Sequence, residues 1–297
     1  MADDTLFDDD FLRRLRRLGL IAKRLRSSSA GGGQRRSRRL GDGLEFADHR
    51  DYSPGDDIRF LDWPYFARME RLLVRLFHEH SEGAVTILVD ASASMDLGEV
   101  NKFDYARRTA AALAYVAMAG LDRVHVLPFA EGLGDGLRTG RNRGQIVEVL
   151  EFLTALNPGG RTGLGDCVRR YARQFGQTGT ILILTDLLDV EDELSEALAL
   201  LRQRKDEVIV LHVADRWDSA PPLVGPTQLA AIESGERINL NITDAVLEAY
   251  RQRWREFVLG MEKTCLGRGA VYIQAPTAAP FDRLVLQTLH KAGVLKS

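Results

Sequence analysis

The chain has 297 residues, 45% apolar and 28% charged, a composition that allows one large domain with appendages and a full core. Forty Lys and Arg against 42 Asp and Glu leave a net charge of -2, which excludes a molecule that is a polycation throughout. Two cysteines, Cys167 and Cys265, exclude a disulfide framework, and no apolar run approaches the roughly 18 residues of a membrane helix.

Residues 1–10 hold five aspartates and no basic residue. The opening MADDTLFDDD lacks the apolar centre of a signal peptide, so a cytoplasmic location is expected. Residues 11–26, FLRRLRRLGLIAKRLR, invert the charge. Phe11, Leu15, Leu18 and then Ala22 or Leu25 fall on one helical stripe, with Asp8 to Asp10 at the end where carboxylates favour a helix start. Two readings stay open: an amphipathic helix docked on its own domain, or a basic face for nucleic acid or an anionic membrane. Residues 12–39 carry ten arginines, one lysine and no acid. SSSAGGGQ, Ser27–Gln34, reads as a flexible linker, and residues 1–40 form an arm.

Residues 41–79 form a second segment. Ser53-Pro54-Gly55-Asp56 marks a tight turn. Asp48, Arg50, Asp51, Asp56, Asp57, Arg59, Asp62 and Arg68 interleave with Tyr52, Trp63 and Phe66. This reads as an irregular segment locked by salt bridges, or as a site for a charged ligand.

Residues 80–297 are expected to be one α/β domain, led in by the extended stretch LLVRLFHE. AVTILVD is a strand, FDYARRTAAALAYVAMAG a helix ended by Gly120, RVHVLPFA a strand and GLRTG a short edge strand. GQIVEVLEFLTAL is a helix, NPGGRTG a loop, LGDCVRRYARQF a helix, TILILTD a strand, EDELSEALALLRQR a helix and DEVIVLHVAD a strand. A β-hairpin near 225–242, turning at Ser234-Gly235, interrupts the order. A long helix capped by Thr243, the strand AVYIQA and the helix FDRLVLQTLHKAG complete the chain. Nearly all-apolar strands alternating with helices predict a doubly wound, mostly parallel sheet covered on both faces.

In such sheets ligands bind beyond the carboxyl ends of the strands. Asp90, Ser92 and Ser94 follow the first apolar strand, Thr162 lies in the loop NPGGRTG behind two glycines, and Asp186 ends TILILTD. Three distant segments thus deliver small oxygen ligands to one edge. Two carboxylates and three neutral hydroxyls suit a hard divalent cation, Mg²⁺ or Mn²⁺, and leave it electrophilic. Asp189 competes with Asp186 for its role; Asp96 and Asp104 read as solvated or capping residues.

The pattern Asp90-x-Ser92-x-Ser94, then Thr162, then Asp186, resembles the metal-ion-dependent adhesion site of von Willebrand factor A-type domains. With GLEFADHRDYSPGDDIRFLDW, DASASM and TDLLD, the stretch from about residue 38 to the end resembles the bacterial family termed domain of unknown function 58. That resemblance implies an A-type domain behind a family-specific N-terminal segment. It implies a partner too, because members are often encoded beside MoxR-type AAA+ ATPases. Some members carry membrane helices near the N-terminus; none is evident in this sequence.

Catalytic motifs are missing: no GxSxG elbow, no GxxxxGK[ST] loop, no HExxH beside His78 and His80, and no second aspartate of a DxDx nucleophile. The expected function is therefore a metal-dependent protein-interaction module rather than an enzyme. A partner carboxylate would complete the ion's coordination. The alternative, a different class, is an electrostatic binder of nucleic acid or anionic lipid through residues 12–39.

Overall fold

The computed structural model describes residues 6–29, 40–41, 45–54, 56–78, 84–120, 122–140, 143–232 and 236–291, with backbone alone for 22–29, 40–41, 45–48, 76–78 and 143. The chain divides into two compact units: Arg24–Glu82, and Met1–Lys23 together with Gly83–Ser297.

The basic stripe forms α1 (Asp9–Ser29). Asp8 Oδ1 accepts from the Phe11 amide at 2.6 Å and so satisfies an orphan donor at the helix start. Phe11, Leu15 and Leu18 are buried in the main core, and the Phe11 ring lies 4.8 Å from that of Phe281. Arg108 Nε donates to the Leu6 carbonyl at 2.7 Å, fastening the turn that leads into α1. Residues 9–21 dock on their own domain, with Arg13, Arg16 and Arg17 exposed on the outer face. A Cβ on Gly19 would approach Tyr115 to 2.5 Å, so the helix lies close because that residue is glycine.

The smaller unit holds β1 (Leu40–Gly41), β2 (Glu45–Asp51), α2 (Trp63–Met69) and β3 (Leu73–His78). The strands form an antiparallel sheet in the order β1-β3-β2, with a bulge between Phe46 and Asp48. The expectation of an irregular segment is thus corrected: residues 41–68 contain a strand and a helix. The alternating charges of EFADHRD hide an edge strand, because ladder pairing uses the backbone and tolerates charge at an edge. Of the expected charges, Arg50 pairs with Asp56 and Arg59 with Asp57, both at 2.7 Å, while Asp51 pairs with Arg71, a residue outside that set, at 3.1 Å. Exposed pairs of this kind stabilise little. Their carboxylates do more for the turns: Asp56 accepts from the Ser53 amide at 2.8 Å, and Asp62 caps α2 by accepting from Tyr65 at 3.0 Å.

The larger unit continues with β4 (Ala84–Asp90), α3 (Lys102–Ala119), β5 (Arg123–Phe129), β6 (Leu137–Thr139), α4 (Ile146–Ala155), α5 (Leu164–Gln174), β7 (Thr180–Thr185), α6 (Glu191–Gln203), β8 (Glu207–Ala214) and α7 (Arg216–Ser219). It closes with β9 (Gly225–Ala230), β10 (Arg237–Ile242), α8 (Asp244–Gly267), β11 (Val271–Pro276) and α9 (Phe281–Lys291). Six strands form one sheet in the order β11-β8-β7-β4-β5-β6, parallel except for β6 at the edge. The hairpin β9–β10 forms a separate antiparallel ladder from Arg237↔Ala230 to Ile242↔Gly225; its expected turn at Ser234-Gly235 lies outside the described residues.

The central strands are buried throughout, and successive side chains enter opposite faces with a period of two. Val85, Ile87 and Val89 enter a core with α1, α3, α4 and α9; Leu88 enters a second core with α5, α6 and α8. The sheet is therefore doubly wound, as the apolar strands predict. β5 lies on one side of β4 and β7 on the other, so the winding reverses between β4 and β7. The crevice at the carboxyl ends of those two strands is the topological switch point.

Phe11→Ala would remove a fully buried ring from the seam between α1 and α9. We expect a loss of about 3–5 kcal/mol in unfolding free energy, measured by urea denaturation of the full chain.

Candidate metal centre

The parallel register sets Val89 of β4 opposite Leu184 of β7. The next residues on the two strands are Asp90 and Thr185, and Asp186 follows directly. Both carboxylates are fully buried. Thr185 Oγ1 donates to Asp90 Oδ2 at 2.6 Å, and the Ser92 amide donates to Asp90 Oδ1 at 2.9 Å. The hydroxyls of Ser92 and Ser94 share a hydrogen bond of 3.1 Å, and both side chains are buried. Ser94 sits in one turn of 3-10 helix, Ala93–Asp96, which places its hydroxyl beside that of Ser92. The strand thus ends in a loop whose oxygens gather on one side.

Thr162 arrives on the loop between α4 and α5. Two backbone bonds latch this loop across the Asp90 turn: the Gly159 amide donates to the Ala91 carbonyl at 2.7 Å, and the Ala93 amide donates to the Gly160 carbonyl at 3.0 Å. Glycine is required at two places. Gly160 has φ 77°, in the left-handed region, and a Cβ on Gly163 would lie 2.9 Å from the Glu131 carbonyl. The Thr162 hydroxyl is buried and has no hydrogen-bond partner. A buried hydroxyl left unmatched costs about 1–3 kcal/mol; those of Tyr105 and Thr109 in α3 are also unmatched, but Thr162 is carried by the loop latched across the Asp90 turn.

Asp186 Oδ1 accepts from the Leu188 amide at 3.1 Å, and Asp186 Oδ2 accepts from Lys102 Nζ at 2.8 Å. Asp189, the competing residue, is exposed and has φ 56°. The carboxylate at the strand end is therefore that of Asp186. Leu187 also has a left-handed backbone, φ 58°, at a cost of order 1 kcal/mol or more. Asp96 and Asp104 serve the start of α3: Asp96 accepts from Asn101 Nδ2 at 2.7 Å, and the Asp104 amide donates to the Asn101 side chain at 2.9 Å.

Burial, together with the negative charge of Asp186, pushes the Asp90 carboxyl up to about 7, against the hydrogen bonds from Thr185 and Ser92. A buried carboxyl in that position is neutralised by a proton or by a nearby cation. Among the described residues no three His, Cys, Asp or Glu side chains converge as a metal cluster. The candidate donor set is instead two carboxylates and three hydroxyls. The orphan hydroxyl of Thr162 and the buried carboxyls of Asp90 and Asp186 fit a hard divalent ion held by oxygen.

Sequence reasoning missed three residues here. Thr185 passes for an ordinary strand residue, since threonine favours strands. Asp218 sits in α7, an element of only four residues that the pattern does not announce. Lys102 offered one usable signal: it is the first residue of α3, at the positive end of the helix dipole, where a cation is disfavoured.

The basic arm is only partly described. Arg13 and Arg14 pair with Asp10 at 3.3 and 2.7 Å; the side chains of residues 22–39 lie outside the described residues. No described helix is long and apolar enough to cross a membrane.

The fold places the chain among doubly wound α/β domains with a mostly parallel sheet. More narrowly, it belongs to the family described as "Protein of unknown function DUF58", which matches residues 48–257. An uncharacterized protein of Mycobacterium tuberculosis (strain ATCC 25618 / H37Rv) is 28% identical over 243 residues, covering 80% of this chain and 76% of the relative. Similar solved structures include the conserved hypothetical protein BatB from Bacteroides thetaiotaomicron, with 17% identity and a TM-score of 0.44 over 71% of this chain and 99% of that one. An aerotolerance-related membrane protein from Bacteroides fragilis NCTC 9343 has 18% identity and a TM-score of 0.45 over 72% of this chain and 100% of that one.

A group whose folded-state value is raised stabilises the fold below its unfolded value and loses that contribution as pH rises through the folded value. For Asp90 the window runs from 3.8 to about 7. In EDTA, the thermal midpoint is expected to fall progressively across this window, and Asp90→Asn to flatten most of that fall. Scanning calorimetry of both proteins through this range measures it.

Proposed function

We propose that the chain is a metal-dependent protein-interaction module. Asp90, Ser92, Ser94, Thr162 and Asp186 hold Mg²⁺ or Mn²⁺ at the switch point, and a carboxylate from a partner protein completes the coordination. The observation that carries this reading is the buried, unpartnered hydroxyl of Thr162 in a loop latched over the Asp90 turn. A helix or turn cap at Asp90 needs neither. When bound, the ion supplies an electrophilic centre, and the chain's own task is to hold the oxygens still. Thr185 and the Ser92 amide fix Asp90, and the two glycines fix the Thr162 loop. The neutral hydroxyls keep the ion's charge from being quenched, which favours an anionic partner group.

The family resemblance supports a MoxR-type AAA+ ATPase as the partner and remodelling or maturation of other proteins as the setting. Affinity capture with such an ATPase, in Mg²⁺ and in EDTA, tests it. Asp90→Ala with Ser92→Ala is expected to abolish both Mg²⁺ binding by calorimetry and Mg²⁺-dependent capture, with the circular dichroism spectrum kept. If the double variant binds Mg²⁺ and partner as the native chain does, the reading fails.

A second reading has one observation in its favour. Arg13, Arg16 and Arg17 are exposed on α1 while Phe11, Leu15 and Leu18 are buried. That face suits nucleic acid or anionic lipid. Binding through it falls steeply with salt and ignores EDTA. Replacing the three arginines by glutamine is expected to weaken capture on anionic lipid vesicles without touching Mg²⁺ binding.

A further inference from the structure

Lys102 is a buried charge that the five proposed ligands leave unused. The Lys102 side chain is fully buried, and its Nζ reaches Asp186 Oδ2 at 2.8 Å and Asp218 Oδ1 at 3.3 Å. Nothing in helix formation calls for a lysine at the first position of α3, where the dipole opposes it. Nothing in the core calls for it either, because a buried ammonium is costly unless paired. The carboxylates account for it.

Asp218 is held in place independently of Lys102. Its Oδ2 accepts from the Asp215 amide at 2.7 Å, and its carbonyl accepts from the Tyr250 hydroxyl at 2.8 Å. Asp215 in turn accepts from the amides of Glu99, Val100 and Trp217 and from the Thr277 hydroxyl. The acceptor that Asp218 offers to Lys102 is thus fixed by α7, α8 and the end of β11. Asp186, the second partner of the same ammonium, follows β7 directly and accepts from the Leu188 amide. The ammonium bridges two fixed carboxylates, and Asp90 is tied to the same strand end by the hydrogen bond from Thr185, the residue before Asp186.

The ammonium faces two carboxylates, Asp186 and Asp218, and with Asp90, ionised and bonded to Thr185 next to Asp186, the three carboxylates set three negative charges against one positive. Two negative charges remain, which one divalent ion neutralises. We infer that Lys102 is a positioning residue for the metal centre and sets its charge specificity. It turns one oxygen of Asp186 towards α3 and takes up one unit of negative charge, so that the remaining charge matches a divalent ion. This rests on the metal reading above. It adds a residue that reading does not use, and it predicts that removing a cation strengthens ion binding.

The experiment is isothermal titration of the full-length chain with Mn²⁺, using the native protein, Lys102→Met and Asp218→Asn. Lys102→Met leaves three carboxylates without a resident cation, and is expected to bind Mn²⁺ at least tenfold more tightly. Asp218→Asn removes one negative charge, and is expected to bind it about tenfold more weakly. Damage to packing would weaken binding in both variants, so a gain in Lys102→Met is not explained by a purely structural role. Lys102→Met binding Mn²⁺ no more tightly than the native chain overturns the inference. If Lys102→Met is unfolded alone, recovery of its circular dichroism spectrum on adding Mn²⁺ supports the inference. If it stays unfolded, Asp218→Asn decides: a tenfold loss supports the inference, an unchanged affinity overturns it. Native protein that fails to bind Mn²⁺ overturns the metal reading itself, whereas native binding with unchanged variants overturns only the role of Lys102.

Discussion

The hydrogen bond from Thr185 Oγ1 to Asp90 Oδ2, 2.6 Å long, joins two parallel strands at the point where the winding of the sheet reverses. A carboxylate with no exposure to water must find donors inside the protein. Asp90 finds two, the hydroxyl across the ladder and the amide of Ser92 two residues on. The second bond turns the chain sharply, which brings the Ser92 and Ser94 hydroxyls together. The first ties the turn to the strand that carries Asp186. The same residue therefore ends β4, shapes the loop and charges the crevice.

That constraint is met only because the sheet beneath it is rigid. Val89 and Leu184, in register one step below, are fully buried, and cores lie on both faces of the sheet. Close-packed interiors do not yield by small amounts. The edge of β4 and β7 is thus a fixed platform, and the adjustable parts are loops. Of these, the Thr162 loop is held by backbone bonds to Ala91 and Ala93, while the loop after β7 carries two left-handed non-glycine residues, Leu187 and Asp189. One loop is latched and the other is strained, and both border the same carboxylates.

Much of this is legible in the sequence, for reasons that also mark where legibility stops. Strands such as AVTILVD and TILILTD are buried on both faces, so they read as continuous apolar runs with a polar residue at the end. The end is where the ligand edge lies, so Asp90, Ser92, Ser94 and Asp186 stand out. Glycines before Thr162 announce a constrained loop. EFADHRD does not announce β2, because backbone pairing leaves no apolar period to read. WPYFARM does not announce α2, whose side chains are mostly exposed. Thr185 is concealed by its own suitability for a strand, since nothing local distinguishes a threonine that packs from one that donates to a carboxylate across the ladder. Asp186 and Asp189 are equivalent in the string TDLLD, and only burial separates them.

Lys102 shows a more general limit. Its meaning is set by Asp186, 84 residues away, and Asp218, 116 residues away, and no periodicity connects three such positions. Yet its placement violates a local rule, a cation at the positive end of a helix, and such violations mark sites where tertiary chemistry has overruled local preference. The unfavourable dipole term is worth about 0.3–1 kcal/mol at a surface. Leaving a buried ion without its partner costs about 3–5 kcal/mol. The second quantity is the larger, so pairing with Asp186 and Asp218 decides which residue begins α3.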